Sequence, residues 1–114
     1  MKLVLAIVQP TKLQALREAL MQIGVERMTV CDAQGYGRQR GQTATYRGIE
    51  YKVNMLRKLA VEIWVNDDFL QKTIETLQVV ARTGSEGNIG DGKIFVLPTE
   101  SAYSVDGASG PGAI

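Results

Sequence analysis

Two stretches of this chain concentrate residues suited to binding anions. The first is TGSEGNIGDGK, Thr83 to Lys93. Gly87 to Lys93 fits the pattern G-x-x-x-x-G-K, with Ile94 where a phosphate-binding P-loop has Ser or Thr. A P-loop also needs a strand before it and a helix after it, so that the helix N-terminus faces the phosphates. The residues around this stretch predict the opposite order, which rules out a P-loop nucleotidase. Backbone amides of a Gly-rich turn, together with Lys93, can still cradle a phosphate without a helix. The plainer reading is a helix-to-strand turn. The second stretch runs over the 22 positions from Gly37 to Lys58. Arg38, Arg40, Arg47, Lys52, Arg57 and Lys58 face only Glu50, a net charge of +5 that leaves −4 on the rest of the chain. A cationic, Gly-punctuated segment of this length suits anion binding at its base and partner contact at its tip. Tyr46 and Tyr51 are placed for contact or modification. The alternative is a solvated loop kept soluble by its charge.

Composition narrows the chemistry further. The chain has 114 residues, no His, one Cys and a net charge of +1. Without His there is no Ser-His-Asp triad, Cys-His dyad or imidazole metal site. Cys31 alone forms no internal disulfide or Cys-rich zinc site, and is expected to serve packing. Apolar runs fall short of the roughly 18 residues of a membrane span. The opening MKLVLAIVQPTK turns polar too early for a secretory signal, so a cytoplasmic setting is expected.

The elements that must position these stretches follow from periodicity. Leu3 to Val8 is a continuous apolar run closed by Pro10 and predicts a buried strand from Lys2 to Gln9. Thr11 with Gln14 resembles a capping box. Leu13, Leu16, Leu20 and Ile23 recur at helical spacing, and Gly24 stops that helix. Met28 to Tyr36 predicts a second strand. Leu59, Val61, Ile63 and Val65 alternate with Ala60, Glu62 and Trp64 in the clearest strand pattern of the chain. Asn66, Asp67 and Asp68 open a second helix that reaches about Arg82, with Gly84 as its stop. Ile94 to Leu97 predicts a last strand, followed by a tail that is expected to be mobile. The order β-α-β, long loop, β-α-β predicts an α+β, ferredoxin-like βαββαβ domain with a four-stranded antiparallel sheet. Helices cover one face only. Trp64 falls on the other, which predicts self-association through that open face; a singly exposed aromatic is the alternative.

Taken in order, these residues resemble the PII signal-transduction proteins, homotrimeric nitrogen regulators. The resemblance runs from Met1 to about Leu97. It is carried by the opening strand with Pro10, REAL at Arg17 to Leu20, MTV at Met28 to Val30 and GYGRQRGQT at Gly35 to Thr43. It continues through YRGIEYKV at Tyr46 to Val53, RKLAVEIWVNDD at Arg57 to Asp68 and GDGKIFV at Gly90 to Val96. It implies one domain over 1–114 and a homotrimer with an adenine nucleotide in each cleft between subunits. It implies a T-loop at about 37–57, a B-loop at about 83–93 and a C-terminal tail at about 99–114. Thr29, Glu62 and Trp64 are expected near adenine and ribose, and Gly35, Gly37 and Arg38 at the nucleotide from one subunit. Gly90, Asp91, Gly92 and Lys93 are expected at its phosphates. Gln39 resembles the residue that helps hold Mg-ATP and 2-oxoglutarate, Lys58 resembles the one that pairs with the effector carboxylate, and Tyr51 matches the family's uridylylated tyrosine. No enzymatic role, cofactor or structural metal is implied; the ligands are ADP, AMP or ATP with a small anion.

Departures from the family pattern shape the expectation. Ser85, Glu86, Gly87 and Asn88 stand where members of the family usually have a single Lys, which lengthens the phosphate loop. No basic residue follows Lys93, where two Arg usually meet the triphosphate. Position 9, basic in many members, is Gln9. The outer phosphates carry the charge, so losing cations weakens their binding most, and ADP or AMP is expected to be favoured over ATP. The divergent tail is similar to that of carboxysome-associated PII-like proteins, which sense bicarbonate. Gln39, Arg40, Gly41 and Lys58 then form an effector site for bicarbonate as readily as for 2-oxoglutarate. The expected partner is a transporter or metabolic enzyme contacted by the T-loop, with membranes reached only through it. Two other classes remain open. A weak ATPase could use Arg38, Lys93 and Asp91, although no His or acidic metal cluster supports it. A nucleic-acid binder could use the +5 segment, although only two Tyr there offer stacking.

Overall fold

The computed structural model describes residues 1–37, 54–88 and 90–107. Its elements are β1 (Lys2–Val8), a short 3-10 turn (Pro10–Lys12), α1 (Leu13–Gln22), β2 (Thr29–Gly37), β3 (Asn54–Val65), α2 (Asp67–Ala81) and β4 (Gly92–Pro98). The sheet has the order β2-β3-β1-β4, and every neighbouring pair is antiparallel. This is the predicted ferredoxin-like arrangement, with both helices on one face.

Alternation decides which face is buried. Val4, Ala6 and Val8 of β1 and Leu59, Val61, Ile63 and Val65 of β3 turn to the helices and are buried. Leu16 and Leu20 of α1 and Leu77 and Ala81 of α2 meet them. Thr73 is also fully buried, and its hydroxyl donates to the Phe69 carbonyl at 2.7 Å, one turn earlier, so no donor is left unpaired. The chain leaves α1 through a Schellman turn. Gly24 has φ +92, its N–H donates to the Met21 carbonyl, and the Val25 N–H donates to the Leu20 carbonyl.

Several boundaries differ from the sequence reading. The capping box at Thr11 does not form. Pro10 begins a 3-10 turn, and α1 starts at Leu13 with Lys12 at its N-cap and no side-chain cap. Asn66 does occupy the N-cap of α2, yet its side chain makes no capping bond; the Phe69 N–H donates to its carbonyl instead. β3 begins at Asn54, so residues 54–57, read as irregular, are strand. Their partners are Gly37 to Gln34 of β2, and this pairing supplies the order that no local alternation announces. β4 likewise extends to Gly92 and Pro98 through its ladder with β1.

The second face of the sheet is open. Trp64, Phe95 and Leu97 lie on it, 38%, 47% and 43% exposed, alongside half-buried Leu3, Leu5 and Ile7. Cys31 belongs to this face too. It pairs with Ala60 and is exposed in the single chain, so it serves no packing within one chain.

Candidate functional site

Strand register builds the site. Val8 pairs with Leu59 on one side and Gly92 on the other. The next positions outward, Gln9, Lys58 and Asp91, therefore emerge together at one end of the sheet. The close approach of β1 and β4 depends on Gly92. Its φ is +134, and a Cβ there would stand 1.9 Å from the Ile7 carbonyl oxygen.

At this end the Gly-rich loop is tied to the sheet. The Lys58 ammonium donates to the Gly90 carbonyl. Gln9 Nε2 donates to the same carbonyl at 3.3 Å and to Asp91 Oδ1 at 3.4 Å. The Asp91 carboxylate also accepts from the Thr83 N–H at 2.8 Å, the Thr83 hydroxyl at 2.5 Å and the Asn88 N–H at 2.8 Å. The Thr83 hydroxyl, followed by the Thr83 and Asn88 amides, holds the Asp91 carboxyl down at about 2, well below its ordinary 3.8. The Asp91 side chain thus faces its own loop. Gly90, at φ +100, carries the carbonyl that the two side chains share.

Behind the loop lies a cleft of about 520 Å³. Val8, Leu77, Ala81 and Ile94 form its apolar floor, and Arg82 and Lys93 bring cations to its rim. Glu86, Gly87 and Asn88 form one lip. Among the described residues no group of acidic, His or Cys side chains is arranged to hold a metal ion.

The other predicted residues lie elsewhere. Thr29 pairs with Glu62 across β2 and β3, and Trp64 is two positions further along the same face. Trp64 also lines a second recess, of about 340 Å³, with Phe69, Glu26 and Arg27. Trp64 and Lys58 are six positions apart on β3, roughly 20 Å at the rise of a strand. The Trp64 recess and the Lys58 end of the sheet are therefore separate places on one chain. Gly35 pairs with Leu56 and Gly37 with Asn54, which carries the β2–β3 ribbon past the Lys58 end. A Cβ at Gly35 would meet nothing within 4 Å, so the sterics of this chain do not demand glycine there. Arg38, Gln39, Arg40, Gly41 and Tyr51 lie outside the described residues.

In the sequence Gln9 stands out only as a missing base, and Thr83 carries no role of its own. Both are partners of Asp91, and no local pattern announces that, because Gln9 and Asp91 stand 82 residues apart.

Residues 1–108 match the model of the family described as nitrogen regulatory protein P-II. The chain is 45% identical to nitrogen regulatory protein GlnK1 of Methanosarcina mazei, over all of this chain and 97% of the relative. It is 47% identical to nitrogen regulatory protein P-II of Rhizobium etli, over 95% of this chain and 88% of the relative. Nitrogen regulatory protein P-II 1 of Escherichia coli is 48% identical over 85% of this chain and 84% of the relative.

Proposed function

The chain belongs to the nitrogen regulatory protein P-II family, and from that premise we propose that it is a homotrimeric signalling protein that binds an adenine nucleotide and a small anion. The observation that carries this reading is the meeting of Gln9, Lys58 and the Gly90–Asp91 turn at the end of the sheet from which segment 38–53 leaves. Nucleotide phosphates lie along Gly90 to Lys93, and an anion pairs with Lys58. Thr29, Glu62 and Trp64 of a second copy complete the pocket on the adenine side. The separation of the two half-sites within one chain, and the apolar open face, support assembly through that face.

ADP or AMP is favoured over ATP. Lys93 is the last cation of the chain, so the outermost phosphate gains least from charge pairing. Gln9 adds no charge beside Lys58, which suits a singly charged effector such as bicarbonate better than a dicarboxylate. Bound ligands select one conformation of segment 38–53, and that conformation engages or releases a partner transporter or enzyme. The protein acts as a regulator and not as an enzyme. Calorimetric titration with ATP, ADP and AMP tests the nucleotide order, and tighter binding of ATP than of ADP overturns it.

A second reading is favoured by the names of the relatives, all nitrogen regulatory proteins. Here the chain senses ATP, ADP and 2-oxoglutarate, and Tyr51 is uridylylated. Titration with 2-oxoglutarate and with bicarbonate, each in the presence of Mg-ATP or ADP, separates the two.

A further inference from the structure

We infer that Asp91 is the positioning residue of the Thr83–Lys93 loop: its carboxylate closes the lengthened loop into a fixed turn, and phosphate binding depends on that closure without any phosphate contact by Asp91 itself. The inference rests on the nucleotide reading above and assigns a role within the same site.

The geometry is that of a clasp. Thr83 opens the loop, Asn88 ends its added residues, and Asp91 closes it. One carboxylate joins all three, through the Thr83 N–H, the Thr83 hydroxyl and the Asn88 N–H. The Asp91 N–H donates in turn to the Asn88 carbonyl at 3.1 Å. Gln9 reaches the same carboxylate from the end of β1, so the clasp is fastened to the sheet. Gly84, Gly87 and Gly90 all have positive φ within the span it closes, and a span with three such glycines loses much conformational freedom when it is fixed. A carboxylate turned towards a nucleotide would instead meet phosphate charge of its own sign and oppose binding.

These two orientations predict opposite signs. Asp91→Asn keeps the size of the side chain and removes its charge. If Asp91 positions the loop, Asp91→Asn weakens ADP by roughly tenfold or more, the scale of one lost charge-assisted hydrogen bond, and leaves adenosine within about twofold of the unaltered protein. Thr83→Val loses the hydroxyl donor and shifts the same way, whereas Thr83→Ser keeps that donor and restores ADP binding. Unchanged or tighter ADP binding by Asp91→Asn overturns the inference. So does an equal loss for adenosine and ADP, which marks general damage to the fold. Should Asp91→Asn fail to fold, the Thr83 pair decides by the same readout. Amide hydrogen exchange of the ligand-free protein supplies a measurement that needs no nucleotide. Loss of protection at the Thr83 and Asn88 amides in Asp91→Asn, or in Thr83→Val if the former is unfolded, upholds the clasp, and retained protection overturns it. Failure of the unaltered protein to bind any adenine nucleotide overturns the functional reading and the phosphate role together, while exchange still decides whether Asp91 closes the loop.

Discussion

The ammonium of Lys58 on β3 donates to the carbonyl of Gly90, 32 residues further along the chain in the Gly-rich loop. The cation proposed to hold an anionic effector is therefore engaged with the loop proposed to hold the nucleotide. On the proposed reading, an anion at Lys58 shares or displaces the Gly90 contact, and the two ligands are expected to affect one another.

Lys58→Met keeps the aliphatic stem and removes the charge. It is expected to weaken bicarbonate binding by roughly tenfold or more, in line with the loss of a charge-assisted contact. Calorimetry in the presence of ADP measures this, and unchanged anion affinity removes Lys58 from the effector site.

Gly92 and Gly35 should respond differently to alanine. At Gly92 the new Cβ meets the Ile7 carbonyl, and φ is +134. Gly92→Ala is expected to cost about 2 kcal/mol or more, since the β1–β4 ladder must shift. Gly35→Ala meets nothing within 4 Å and is expected to change stability by less than about 0.5 kcal/mol. Urea unfolding distinguishes them. Loss of nucleotide affinity in Gly35→Ala without loss of stability then reports a ligand lying against that backbone.

The acid side of the stability profile should carry the mark of Asp91. Its folded-state carboxyl sits at about 2 against an ordinary 3.8, so ionisation favours the folded state. That contribution is complete above the ordinary value and is withdrawn as pH falls from there towards about 2. Asp67 is lowered as well, first by the N-terminal ammonium and then by Lys2, and acts in the same direction. In urea titrations the stability gap between the unaltered protein and Asp91→Asn is expected to be widest near about pH 6 and to close towards about pH 2. A gap that stays constant over that range contradicts the assignment.

The open face should govern assembly. Phe95 is 47% exposed and pairs with Leu5 at the middle of that face. A charge placed there is desolvated on association, so Phe95→Glu is expected to give a single chain of 12.5 kDa where the unaltered protein is expected to have three times that mass. Light scattering coupled to size exclusion reads the difference, and an unaltered oligomer in the variant refutes assembly through this face.

Much of this protein was legible without coordinates. Alternation from Leu59 to Val65, the helical spacing from Leu13 to Ile23 and the Gly24 stop depend on neighbours a few residues away, and local chemistry expresses them fully. The Gly-rich loop and the +5 segment are also local facts of composition. The false capping box at Thr11 shows the limit of such patterns: Pro10 opens a 3-10 turn, and its geometry overrides the Thr11 to Gln14 spacing. Asn54 to Arg57 shows the converse, a strand without alternation that exists because β2 pairs with it.

Short-range residue patterns set the order of elements, the buried alternation of the sheet and which segments carry the charge and the glycines. The pairing of distant strands is what turns Asp91 into its own loop, brings Gln9 and Lys58 together on Gly90, and keeps Glu62 and Trp64 away from them. The physical reason is register. Val8 faces Leu59 and Gly92 at once, and strand pairing over such separations is set by the packing of the whole sheet, which no short window of residues contains.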